Sequence, residues 1–129
     1  MVITKKIGIW MNHSIAYIME FTAGLITTII VESDNEKDKQ HTFNLENDNY
    51  SQFTKEQIIQ TDFYKKMSEQ ISECQQVILF GPTYAKVNFY HQLKADSRFS
   101  KTRIDVTQAQ EMNQIQQQDF VTNHFSKKL

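Results

Sequence analysis

Residues 77–86, VILFGPTYAK, bring together the residue types that phosphate chemistry uses. Gly81, Pro82 and Thr83 close an apolar run and open a helix-like segment, with Lys86 a turn later. The free amides and positive dipole of a helix N-terminus favour an anion, and a lysine adds charge. The spacing is not that of a P-loop, which needs more loop residues and a Lys-Ser/Thr pair at the helix start. A second group, Asn12 and His13, stands beside Ser14. A histidine next to a serine is not a triad without a third residue to orient the imidazole, and none is identifiable. Two-metal hydrolysis requires several carboxylates converging on Mg²⁺, because hard cations take oxygen ligands. The run IGIWM carries no acid, and neither does the end of VILFG. No catalytic residue, metal ligand or cofactor is therefore assigned. The plainer reading comes first: Gly81 ends a strand without a Cβ clash and Pro82 pre-sets the helical φ. Lys86 is then a solvated helix residue. Cys74 is the single cysteine, which excludes an intramolecular disulfide and a cysteine-based metal site. Its expected place on the inward face of a helix makes it a buried thiol rather than a nucleophile.

The elements that must position these residues follow from periodicity. KKIGIWM, SIAYIMEF and LITTIIVES are rich in Ile, Val, Thr, Tyr and Phe and are separated by turn residues, which predicts a three-stranded meander. Along the second strand, Ile15, Tyr17, Met19 and Phe21 share one face, Ala16 and Ile18 the other. The third divides Leu25, Ile29 and Val31 from Ile26 and Ile30. A sheet apolar on both faces must be covered on both, by helices or by a partner subunit. Thr54 and Gln57 match a capping box, and Ile59, Phe63, Met67, Ile71 and Cys74 predict a helix over 55–74. QVILFG reads as a buried strand, 83–95 as a helix with Phe89 and Leu93 inward, and KTRIDVT as a last strand. Asn113 caps a final helix carrying Phe120, Val121, His124 and Phe125, with a basic KKL at its end.

The order β-β-β-α-β-α-β-α gives an α/β chain: a five-stranded mixed sheet in order 3-2-1-4-5, three main helices and three layers, as in the ribonuclease H-like group. Strands one and four are then neighbours from which the chain winds in opposite directions, and open sheets bind ligands at such switch points. Asn12, His13, Gly81, Pro82, Thr83 and Lys86 thus form the candidate ligand or partner crevice.

A length of 129 residues fits one domain, 1–129, large enough to bury a core without staples. Residues 33–53 interrupt it with a polar, charged, turn-prone loop. Lys and Arg number 14 against 15 Asp and Glu, so the chain as a whole has no electrostatic footprint for nucleic acid, and DNA is not expected as a partner. MVITKKIGIW lacks the apolar core and cleavage site of a secretory signal, and no apolar run reaches the length of a membrane span. A cytoplasmic location without membrane contact is the expectation.

Three segments taken together, GIWMNHSIAYIM, VILFGPTYAKVNFYHQL and EMNQIQQQDFVTNHF, resemble a family: small bacterial proteins related to the middle domain of eukaryotic and archaeal class I translation release factors and of Pelota. Gly8, Trp10 and His13 match its first hairpin, with Asn12 where an acid is more usual. Gly81, Pro82, Ala85 and Lys86 match its turn, with Thr83 in place of a second glycine. Met112, Gln114, Phe120, Val121 and Phe125 approximate its last helix. The Gly-Gly-Gln tripeptide of release factors is absent, since glycine occurs only at 8, 24 and 81, so release-factor catalysis is excluded. The loop after the meander, often basic in the family, here carries Asp34, Glu36, Asp38, Glu46 and Asp48 beside Lys37, Lys39 and His41. The resemblance implies a translational-machinery-component fold and a non-enzymatic binding module that contacts ribosome, tRNA or a translation factor. Its RNA contacts would come from Lys94, Arg98, Lys101 and Arg103, with Lys5, Lys6, Lys86, Lys127 and Lys128 as further cations. Two alternatives stand beside it: a self-associating, homo-oligomeric or protein-interaction module, and a binder of small phosphorylated ligands at the crevice.

Overall fold

Strand formation begins where β-branched and aromatic residues run without interruption, and turn residues set the ends. In the computed structural model, which describes residues 5–33, 55–71 and 73–126, β1 (Lys6–Met11), β2 (Ile15–Thr22) and β3 (Leu25–Glu32) form an antiparallel meander. Asn12 closes the first hairpin: its Oδ1 accepts from the Ser14 and Ile15 amides at 2.8 and 3.0 Å. A side chain that hydrogen-bonds backbone two and three residues ahead is the reason asparagine starts turns. Ala23 and Gly24, with φ of 54° and 80°, form the two-residue loop of the second hairpin. Both angles are positive, as the twist-compatible type I′ turn requires.

Helix α1 (Lys55–Glu69), β4 (Gln76–Gly81), α2 (Ala85–Lys94), a 3₁₀ turn (Ser97–Phe99), β5 (Arg103–Gln108) and α3 (Gln114–Ser126) follow. The sheet order is β3-β2-β1-β4-β5, with β4 parallel to both β1 and β5. This is the five-stranded mixed sheet with three helices that the element order predicts. Helices α1 and α2 bury Phe63, Met67, Phe89 and Leu93 against Ile7, Ile9, Ile18, Val77 and Leu79 on one face. Helix α3 covers the other face, where Val121 and Phe125 meet Trp10, Met19, Ile78 and Phe80. Each such large apolar side chain, fully buried, contributes about 1.5–3 kcal/mol relative to exposure, so both faces hold the sheet.

The close approach of α3 to the sheet depends on Gly8. A Cβ there would lie 2.3 Å from Val121 Cγ2. Asn113 caps α3 as expected: its Oδ1 accepts from the Gln116 amide at 2.8 Å, and Gln116 Oε1 accepts from the Asn113 amide at 2.9 Å. The reciprocal pair satisfies two donors of the helix start.

Two expectations need correction. Helix α1 ends at Glu69, not at 74. Glu73 takes a positive φ of 61°, which no helix accommodates, so Cys74 is buried in the connection to β4 rather than on a helix face. Both faces of β3 are apolar as read, and within the single chain their cover is incomplete: Val31 is buried, but Leu25, Ile29 and Ile30 are 73%, 42% and 48% exposed. The sheet is covered on both faces over β1, β2 and β4, and the helices do not extend that cover across β3. Thr54 of the predicted capping box, the polar stretch after Ser33 and the terminal KKL lie outside the described residues. No described helix is long and apolar enough to cross a membrane.

Candidate functional site

The parallel register of β1 and β4 brings the two sequence groups to the same end of the sheet, since Trp10 is paired with Phe80 just before both strands end. Gly81 carries the chain past Met11 with φ +153°, and a Cβ would lie 2.1 Å from the Met11 carbonyl oxygen. The strand exit is therefore open to glycine alone, for steric reasons that involve no ligand. Pro82 and Thr83 turn the chain, and Thr83 Oγ1 accepts from the Ala85 amide at 3.2 Å, taking up one of the free donors at the start of α2.

Lys86 departs from expectation. It is not a solvated helix residue: only 4% of it is exposed. Its Nζ donates to the Thr83 carbonyl at 2.6 Å and to Gln108 Oε1 at 2.9 Å, while Gln108 Nε2 reaches the Pro82 carbonyl at 3.4 Å. The ammonium is thus held by neutral oxygens, with no carboxylate paired to it among the described residues. Burial pushes its pKa below the ordinary lysine value, because desolvation disfavours the charged form. Gln108, at the end of β5, is the residue that sequence reading missed. Only the parallel pairing of Gly81 with Gln108 places it there.

Asn12 and His13 sit across the strand ends from this cluster. The Asn12 carboxamide is engaged in its own turn. His13 is exposed, and its carbonyl accepts from Gln60 Nε2 of α1 at 3.2 Å. The structure therefore brings the six crevice residues to one end of the sheet, where the side chains of Asn12, Thr83 and Lys86 serve turns and internal hydrogen bonds and that of His13 is exposed. Among the described residues, open depressions of about 420, 370 and 390 Å³ are lined by other residues. The first is at this same end, lined by Gln110, Glu111, Met112, Asp119 and Phe120. Trp10 fastens its rim by donating from Nε1 to the Gln110 carbonyl at 3.2 Å.

The cations occupy the opposite end. Arg103 pairs with Gln76 at the start of β4, five residues before Gly81, which places the two sets roughly 16 Å apart along the sheet. Gln75 donates to the Lys5 carbonyl at 2.8 Å and accepts from the Arg103 amide at 2.9 Å, so β1, β4 and β5 all begin here. Lys94, Lys101 and Arg103 are exposed. Arg98 is paired with Asp96 at 2.6 Å and Arg103 with Asp105 at 3.3 Å. The Arg98 side chain holds the Asp96 carboxyl below the usual carboxylate range by hydrogen bonding. Lys6 lies over the Phe125 ring, 5.8 Å from its centroid.

Cys74 is buried nearby, its carbonyl accepting from Thr102 Oγ1 at 2.9 Å. Desolvation pushes its thiol up to about 11. A thiol that stays protonated at neutral pH is a poor nucleophile. Among the described residues, no group of three His, Cys, Asp or Glu is placed to hold a metal ion.

No family model matches this chain, and no curated protein matches it. Solved structures do. The Pelota protein of Thermoplasma acidophilum superposes with a TM-score of 0.60 at 14% identity, over 98% of this chain and 35% of that one. Pelota of Archaeoglobus fulgidus gives 0.56 at 11%, over 98% and 33%. The archaeal translation termination factor aRF1 gives 0.59 at 13%, over 97% and 35%. The fold is that of a segment of Pelota and aRF1. At these identities the likeness is one of fold alone, and the chain spans about a third of the length of each. The fold implied by the three sequence segments agrees with it.

Proposed function

We propose that this chain is a non-catalytic, translation-associated binding module that contacts the ribosome, a tRNA or a translation factor. The observation that carries the reading is the superposition, along 97% of the chain, on an archaeal translation termination factor. Two features of the site support it. The side chains of Asn12, Thr83 and Lys86 at the switch point are used internally, and the exposed cations Lys94, Lys101 and Arg103 gather at the other end of the sheet with Arg98, Lys5 and Lys6. A patch of this kind suits phosphate contacts that position a protein without reading sequence. Binding of a small phosphorylated ligand at the crevice has less support, because Lys86 is directed into Thr83 and Gln108.

Co-sedimentation with ribosomes tests the proposal. Two to four phosphate contacts release enough counterions to weaken binding roughly ten- to hundred-fold between about 50 and 200 mM salt. Retention at low salt that declines on this scale, and that is lost in a Lys94→Glu, Lys101→Glu variant, is the expected result. No retention of the wild-type protein at low salt overturns the reading.

A further inference from the structure

An eight-residue strand at the margin of a sheet presents a row of backbone donors and acceptors, and proteins ordinarily blunt such edges with lysine, proline, bulges or short strands. β3, LITTIIVE, has none of these devices. Among the described residues no strand pairs with its outer side, since β3 ends the sheet; at its C-terminal end the Glu32 carbonyl accepts from Lys66 Nζ at 2.8 Å, which leaves the edge from Ile26 to Ile30 uncovered. The phase of its hydrogen bonds is set by the hairpin. In a two-residue loop, the flanking Thr22 and Leu25 form a hydrogen-bonded pair. Ser33 donates to the Ser14 carbonyl at 2.8 Å in the same phase. Odd-numbered residues of β3 therefore bond to β2, and Ile26, Thr28 and Ile30 turn their amides and carbonyls outward.

We propose that this outer edge pairs antiparallel with the same edge of a second copy of the chain, across a two-fold axis at Thr28, making one continuous ten-stranded sheet. The register is argued from the strand's own side chains. With Thr28 opposite its counterpart, Ile30 lies opposite Ile26 of the second copy on the α3 side. On the α1 side, Leu25 lies opposite Val31 of the second copy, and Ile29 opposite Thr27. Each of the three exposed aliphatics then gains a neighbour in one operation. Leu25, 73% exposed at the end of β3 that α1 leaves bare, is carried to the other end of the partner strand. There a depression of about 390 Å³ lies between β3 and α1, lined by Ile29, Val31, Glu32 and Lys66. Charge agrees with this choice. Glu32, the acid of the strand, falls opposite Gly24 in the turn of the second copy. Sliding the pairing two residues toward the strand's C-terminal end would instead set Glu32 against Ile26 and leave Leu25 without a strand neighbour. An interface in which one patch meets itself is the closed, isologous form that two-fold dimers take.

Cysteine scanning tests the register directly, and the buried native Cys74 does not interfere. A hydrogen-bonded antiparallel pair has Cα atoms about 5.5 Å apart, within disulfide reach. Thr28→Cys should therefore form an intermolecular disulfide on mild oxidation. Two copies of Thr27→Cys would be roughly 8 Å apart and should not. Light scattering should give the wild-type protein twice the chain mass. Thr28→Pro removes one outward amide, a change that an edge strand tolerates in the monomer, and should give the single mass with unchanged circular dichroism. Leu25→Lys with Ile30→Lys, both at exposed positions, provides a second monomeric variant in case the proline disturbs folding. A wild-type protein of single-chain mass overturns the proposal. So does a dimer that survives in both variants, or cross-linking that does not distinguish Thr28→Cys from Thr27→Cys.

Discussion

Lys86 shows how a residue's surroundings can reverse its meaning. Its ammonium is buried and held by two neutral oxygens, so it acts first as a brace between the start of α2 and the end of β5. Lys86→Ala should lower stability by about 1–3 kcal/mol, the usual cost of leaving buried acceptors unpaired, seen as a lower urea midpoint. Ribosome retention of the folded variant should be unaffected. Cys74 gives a pH prediction. Its folded-state pKa of about 11 lies above the ordinary thiol value of 9.0. Between these values the unfolded chain loses a proton that the folded chain keeps. Stability from this group is therefore intact below pH 9 and is lost as pH rises, by roughly 2–3 kcal/mol at pH 11. Tyr64, also raised by burial, adds to the decline at the alkaline end. Denaturant titrations from pH 8 to 11 on the wild type and Cys74→Ala should separate the two, because the variant loses only the thiol's share.

At the level of elements, packing is decided by single small residues. Gly8 lets α3 lie against β1, and Gly8→Ala should cost about 1–3 kcal/mol as the extra methyl overpacks the contact. Val121→Ala in the same chain should recover part of that loss, a coupling measured by thermal melts of the two single variants and the double. The alternation of apolar residues was enough to read the strands and to assign their faces, because side chains on a strand must alternate. Asn113 was legible for a similar reason: its capping partner Gln116 stands three residues away. The end of α1 was not. Ile71 and Cys74 continue the helical spacing and are buried, yet they reach the core from the connection, where Glu73 turns the chain through a positive φ. Periodicity reports burial, and two backbone paths can deliver the same buried residues.

Across the whole molecule, two sets of candidate residues lie at opposite ends of one sheet. The cations from Lys94 to Arg103 surround the strand starts, and the Gly81–Lys86 turn lies at the strand exits. If the basic end carries the contact, charge reversal at Lys94 and Lys101 should remove ribosome retention while the melting temperature changes by no more than about 0.5 kcal/mol of stability would produce. The crevice itself was only partly legible. That its six residues would share one end of the sheet followed from the strand order, but not that the side chains of Asn12, Thr83 and Lys86 would be turned to internal hydrogen bonds, nor that Gln108 would complete the cluster. The sequence by itself determined the order of elements, the faces of the strands and, through the right-handed crossover, the sheet order. These follow from local periodicity and chain connectivity. The tertiary structure decided which cation is buried, which strand is left bare and which distant residues meet. Such outcomes depend on pairings between segments far apart in the chain, such as Gly81 with Gln108, for which no local pattern carries a signal.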